Sequence, residues 1–511
     1  MTGPASALWF ARHELRLAWR DGFAMMTGGK RSRLIGFAIG GVIVYGLLLT
    51  IAWFALRNWT ESGIIIDKPA LVMISGMGAL FWAVTLSQAL ESVTRVYYAR
   101  SDLDLLLSSP VSSRLVFTVR AASVVLTTTV LGALLVSPIV IVLAIQSGPQ
   151  WLGAFLVQLS LGLLSVALAM AITLALFRIV GPRRTRLIAQ IIAAIVGAGF
   201  VIGIQAFAIL SHDGFSRMAA FQSAELIAAA PPADSIIWLP ARAATGDLPA
   251  ALLLAAISFA IFAATIAFTA PSYARLATAA AGLSHIRITR RATPNTFSAA
   301  TQRQTLRRKE WRLLQRDPWL VSQTLMQMLY LLPPALLIWI NYGEGEGAYI
   351  VAVPVLVMAA GQLSGGLAWL AISGEDAHDL VATAPLSPTT ILRAKVEAVL
   401  AVIAVVLIPI LAFMALSSPR MALITAIFAT LSAASATAIQ LWFRVTARRA
   451  MFRRRQVASR AATLTEAFAS IMWAGTSALL AAGNWFAILP AIIAIAVLGL
   501  ARLIAPKPAG S

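Results

Sequence analysis

From Ala121 to Phe177 not one residue carries a charge, and further uncharged stretches run from Leu248 to Pro271 and from Ala398 to Pro419. A helix of about 20 apolar residues crosses the hydrocarbon core of a bilayer. Within that core the backbone must satisfy its own hydrogen bonds, which a helix does. Composition agrees: 59% of residues are hydrophobic and 12% charged, against about 25% charged in a soluble domain. A soluble enzyme, a secreted domain and a disordered scaffold are excluded. The expected fold is all-α, a polytopic membrane protein of about twelve spans. Six fall in the first half, near 34–56, 70–90, 115–145, 150–178, 186–211 and 248–271. Six follow near 319–341, 349–373, 390–415, 420–443, 461–482 and 485–503. The polar stretch from Pro271 to Pro318 separates them, giving a first repeat at 1–271, a linker at 272–305 and a second repeat at 306–511.

The chain carries 40 Lys and Arg against 20 Asp and Glu, a net charge of +20. With the N-terminus inside, only Arg57, Lys68, Arg217, Arg242 and Arg420 among those 40 fall on the outer side. That is a strong positive-inside bias, and it makes both termini cytoplasmic. Basic runs such as Arg448 to Arg455 then lie at span ends, as anchors on anionic lipid, and nucleic acid is not an expected partner. With no cysteine, disulfides, thiolate metal sites and a Cys nucleophile drop out. The first residues have charges every few positions and no apolar core, unlike a cleavable signal peptide.

The two halves repeat each other. Arg12, Glu14, Arg16, Arg20 and Asp21 match Arg308, Glu310, Arg312, Arg316 and Asp317 at a constant offset of 296 (310 against 14). After the second span of each half, residues 104–112 parallel 379–387 at an offset of 275 (387 against 112). A third match pairs Phe177-Arg178 with Phe443-Arg444. Three matches in one order indicate a duplicated six-span unit. Six spans per copy keep both repeats in the same orientation, with a pseudo-twofold axis along the membrane normal and a pathway between the halves.

Arg12, Arg16 and Arg20 recur every four residues and line one helix face, while Leu8, Ala11, Leu15 and Ala18 line another. This reads as an amphipathic helix in the headgroup plane. Glu14 and Glu310 gain nothing from anionic lipid there, and a basic cytoplasmic partner would explain them. The second motif is acidic, with Asp102 and Asp104 in one copy and Asp376 and Asp379 in the other, where the other large cytoplasmic loops are basic. Acidic residues suit the start of a short helix. Ser387-Pro388 then restarts the next span as N-cap and first residue.

This layout resembles the membrane subunit of a type-2 ATP-binding-cassette exporter, with two six-helix permease domains fused in one chain. The likeness rests on the interfacial helix in both halves (Glu14 to Asp21, Glu310 to Pro318). It rests also on the coupling segments (101–110, 375–385) and on the outer segment 212–247, which contains Pro231-Pro232 and Trp238-Leu239-Pro240. In the second half the matching outer loop, Ala482 to Trp485, is nearly absent, which implies an asymmetric outer side. The resemblance implies two ATPase subunits, one under each half, that carry ATP and Mg and dock on Glu14, Arg16, Arg20, Asp102, Asp104, Glu310, Arg312, Arg316, Asp376 and Asp379. This chain itself has no phosphate loop: Gly28-Gly29-Lys30 is followed by Arg31, and Ala24 stands where the first Gly belongs. No catalytic, metal or cofactor site is expected in it.

The main alternative is a secondary transporter of the major-facilitator kind, which also has twelve spans in two parallel halves. Such carriers use intramembrane carboxylates or His, whereas Glu397 and Glu466 here lie near cytoplasmic ends. An intramembrane enzyme has nothing to work with, since His13, His212, His285 and His378 fall outside the spans and no His-Glu-x-x-His occurs. Apolar spans with scattered Gln and Ser suit an amphiphilic substrate, and the Ala- and Arg-rich composition suits a bacterial plasma membrane.

Overall fold

The computed structural model describes chiefly residues 9–17, 32–61, 66–98, 112–212, 223–273, 301–316, 331–340, 347–373, 385–443 and 460–505. All regular structure among them is helical, and ten helices are long and apolar enough to cross a membrane. The chain is a polytopic all-α membrane protein. Two expected spans have no counterpart in those ten. The first, 34–56, falls within a 30-residue helix, Ser32–Glu61, whose stretch Tyr45–Arg57 is apolar. Most of the other, 319–341, lies outside the described residues, and its end is the helix Leu332–Ile340.

The chain divides into two compact units, Met1–Arg291 and Ala292–Ser511. The first holds α1 (9–17), α2 (Ser32–Glu61), α3 (Lys68–Tyr98), α4 (Ser113–Ser147), α5 (Gly153–Ile179), α6 (Gly181–His212), α7 (Ala224–Ala229), α8 (Leu239–Ala244) and α9 (Leu248–Thr269). Two helices outrun the hydropathy that announced them. α3 continues eight residues past Leu90, because Glu91 and Arg95 pair at 2.5 Å one turn apart on its surface. α6 begins at Gly181, ahead of Arg184 and Arg186. Hydropathy marks where a helix enters lipid, not where it starts.

The second unit holds α10 (Gln302–Arg316), α11 (Leu332–Ile340), α12 (Gly347–Ser373), α13 (Pro388–Ser417), α14 (Pro419–Trp442), α15 (Arg460–Ala481) and α16 (Ile488–Ile504). Each unit has the same central trio. In the first, α3 packs on α5 and α6; in the second, α12 packs on α14 and α15. These are the second, fourth and fifth spans of their halves. Small residues bring the helices together, since lipid-embedded helices associate by close contact more than by hydrophobic exclusion. α5 buries Ser160, Gly162, Ser165, Ala169 and Thr173, and α14 buries Ala429, Ala433, Ser435 and Ala436. Several hydroxyls return to their own helix, as Ser160 does to the Leu156 carbonyl (2.8 Å) and Thr173 to that of Ala169 (2.7 Å).

The sixth spans differ, and the chain before them says why. In the second unit α15 ends on a tight turn. Gly483 has φ of 72°, its N–H donates to the Leu480 carbonyl, and the Asn484 N–H donates to that of Leu479. This pair of bonds is a Schellman motif. Asn484 then caps Phe486, so α16 must pack beside α15. In the first unit 223–247 intervene, and α9 packs on α5 instead.

Candidate functional site

α1 has three faces where its sequence announced two. Arg12, Arg16 and Arg20 are exposed, as are Ala11 and Leu15. Between them, Phe10 and Glu14 turn inward, one helical turn apart. Phe10 is 2% exposed and packs in the cluster of Leu90, Tyr97, Phe117 and Tyr273. Tyr97, Phe117, Phe177 and Tyr273 form a closely packed aromatic knot, with ring centres 4.8–5.8 Å apart. The Glu14 carboxylate reaches Arg120 of α4 at 3.6 Å, and both side chains are largely buried.

The second unit repeats this arrangement. On α10, Leu306 is buried where α1 has Phe10, and Glu310 is 1% exposed. Lys395 of α13 donates to both Glu310 oxygens, at 3.1 and 3.3 Å, and to the Ala371 carbonyl of α12 at 2.5 Å. Lys309 adds a contact at 3.4 Å. Two residues further along α13, Glu397 accepts from Arg307 at 2.6 Å, a more exposed pair that ties the same two helices.

The register of these pairs is informative. Phe10 and Leu306, like Glu14 and Glu310, are related by the offset of 296. Arg120 and Lys395 are related by 275, the offset of the loop match. Ser112 and Ser387 share that offset, and both cap the third span of their half: Ser112 accepts from the Leu115 N–H (3.4 Å) and Ser387 from that of Thr390 (3.2 Å). The expected Ser-Pro restart at 387–388 is therefore present. Phe177 and Phe443, the third match, are both buried. Each unit thus has an acid–base clamp between its interfacial helix and its third span.

This changes the place of two expected docking residues. Glu310 has no surface to offer a partner, and Glu14 has little; their basic partners lie within the chain. The physical reason is burial: a carboxylate taken out of water needs a cation close by, and the third span supplies it. Sequence reasoning missed Arg120 and Lys395 because each is one cation in a long helix. The repeat offset pointed to them, had it been applied beyond the loops. Arg16, Arg20 and Arg312 remain exposed. The Arg316 side chain and the acidic segments with Asp102, Asp104, Asp376 and Asp379 lie outside the described residues.

Within the second unit one more carboxylate is buried. Glu466 of α15 is 6% exposed, and Gln440 of α14 donates to it at 2.5 Å. Gly365 of α12 makes the room, because a Cβ there would overlap the carboxylate. Gln158, Gln190 and Gln205 of the first unit are buried, while Gln88 and Gln362 face outward.

On the opposite side, the segment before α9 folds back onto the first unit. Trp238 is buried with Leu71, Val72 and Ala241, and its indole N–H donates to the Pro232 carbonyl at 2.9 Å. Asp247 caps α9 through the Ala250 N–H (3.1 Å) and binds Arg242 at 2.7 Å. The Ala250 N–H and then Arg242 hold its carboxyl below the usual range. The chain matches no family model, no curated protein and no solved structure.

Proposed function

We propose that this chain is the permease of an ATP-driven transporter in the bacterial plasma membrane, an exporter by its resemblance, with a separate ATPase docked beneath each unit. The observation that supports the reading is the repeated clamp. An interfacial helix with an exposed basic face is fixed to the third span by a buried ion pair, in both copies and in one register. A push on such a helix from the cytoplasmic side passes to a membrane span without loss in a flexible joint. Docking then falls to Arg16, Arg20, Arg312 and Arg316 and to the acidic segments 101–110 and 375–385. Glu14 and Glu310 act as positioning residues behind that surface. ATP and Mg belong to the partner, and the substrate is an amphiphile.

The test is purification in mild detergent from native membranes, with identification of the proteins that stay bound. A stoichiometric ATPase is expected, and Arg16→Glu with Arg312→Glu should release it while the chain still inserts. Absence of an ATPase after crosslinking overturns the reading. A second reading, the secondary transporter, gains from Glu466, since a carboxylate buried in a span is a common seat of ion coupling.

A further inference from the structure

The third span of the first unit, α4, holds a buried proline, Pro138, in its outer half. Proline has no N–H, so the Leu134 carbonyl one turn earlier loses its helical donor, and the ring presses against that oxygen. Inside a bilayer no water replaces the lost bond. Two side chains take over. The Ser137 hydroxyl donates to the Leu134 carbonyl at 2.9 Å, and the Tyr45 hydroxyl of α2 lies 2.7 Å from the Ser137 oxygen. Ser137 has a single proton and gives it to Leu134, so Tyr45 is the donor in the second bond. Thr127 and Thr128 also bond back to carbonyls of α4, those of Ser123 and Val124, but these carbonyls keep their amide donors. At Leu134 the side-chain bond is a replacement.

The proline also divides α4 into parts with different attachments. α2 packs along α4. Outward of Pro138, Gln146 lies 2.9 Å from the Thr60 hydroxyl of α2, and Tyr45 holds the joint itself. Inward of it, α4 carries Arg120, which binds Glu14 of α1. Arg120 is 18 residues from the proline (138 against 120), a lever of about 27 Å. Sharp bends in helices fall at such prolines, where one turn lacks its bond. The third span of the second unit, α13, has a proline too, Pro409, but Ile408 before it offers no hydroxyl. The side-chain replacement belongs to the first unit.

We propose that residues 134–138 are a hinge in α4, latched by the hydrogen-bond chain from Tyr45 through Ser137 to the Leu134 carbonyl. When the latch opens, the inner part of α4 swings together with α1 while the outer part stays on α2. The hinge belongs to this chain alone and stands independently of what drives the transporter. The natural absence of cysteine allows spin labels to be placed at will in the full-length chain in nanodiscs. One pair is Leu126→Cys with Ile39→Cys of α2, and the other is Leu126→Cys with Leu168→Cys of α5. All three side chains are exposed, and the two pairs read the inner part of α4 in two directions. Pulsed electron resonance should give one narrow distance distribution for each pair in the otherwise unaltered chain. Tyr45→Phe, and separately Ser137→Ala, should add a second population in at least one pair, displaced by up to about 6 Å. That is a bend of about 20° over the 12 residues between Leu126 and Pro138 (138 against 126), a length of about 18 Å. Pro138→Ala returns an N–H to the Leu134 carbonyl, so in that background Tyr45→Phe should leave both distributions narrow. Failure of either latch variant to move a distribution overturns the proposal. So does broadening that is the same with and without Pro138, because the Tyr45 bond would then be an ordinary tether between two helices.

Discussion

Glu310 and Arg307 sit one turn apart on α10, and both bind the same neighbouring helix. Burial makes them unequal. Lys395→Met would leave a carboxylate at 1% exposure without its closest cation, Lys309 remaining at 3.4 Å, and breaking a buried pair typically costs up to about 3–5 kcal/mol. Arg307→Ala removes a half-exposed pair that solvent screens and should cost far less. Thermal midpoints in detergent should therefore fall steeply for the first and barely for the second, and Glu310→Gln added to Lys395→Met should restore much of the loss. Equal effects would mean that the clamp is solvated. Asp247 offers a test by acid. Its carboxyl is held low in the folded chain, so its contribution is full at neutral pH. That contribution fades as pH falls below the unfolded value of about 3.9 and through the folded one. Asp247→Asn should lower the thermal midpoint at pH 7, and the gap should begin to narrow once pH falls below about 3.9. At this scale the sequence showed Glu14 and Glu310 but not their partners, because a lone Arg or Lys in an apolar run has no local pattern.

Helix ends follow local rules that hydropathy does not register. Ser112 and Ser387 were legible as caps because a Ser before a long apolar run has one common use. The eight extra residues of α3 were not, because Glu91 and Arg95 lower hydropathy while supporting the helix as a pair. The turn between α15 and α16 depends on a single backbone conformation. Gly483→Ala puts a side chain at φ of 72° and should destabilise the turn by about 1 kcal/mol. Ala482→Gly next to it should not. A midpoint shift for both would place the cost elsewhere than in the left-handed residue. The same turn explains the sixth spans. A few residues between helices force them to be neighbours, whereas the fold-back segment lets α9 cross to α5. That difference in packing was foreshadowed by the length of the two outer loops and by nothing in the spans themselves.

Across the whole molecule, the fold class was readable, since it depends on long-range statistics of charge and apolar runs. The contents of the clamps and the seat of Glu466 were not, since they depend on which faces meet. Orientation is open to a direct check, because the natural chain has no cysteine. Ala482→Cys should react with a membrane-impermeant maleimide on intact cells, and Ser284→Cys only after permeabilisation. The reverse pattern would invert the topology. The clamp has a further consequence, one of timing. Glu310 is made 85 residues before Lys395. At about 5–20 residues per second, the interfacial helix spends several seconds at the membrane before the span that secures it has left the ribosome. During biosynthesis each half must hold its first helix open, then close it when the third span arrives. The first half is complete while the second is still being translated.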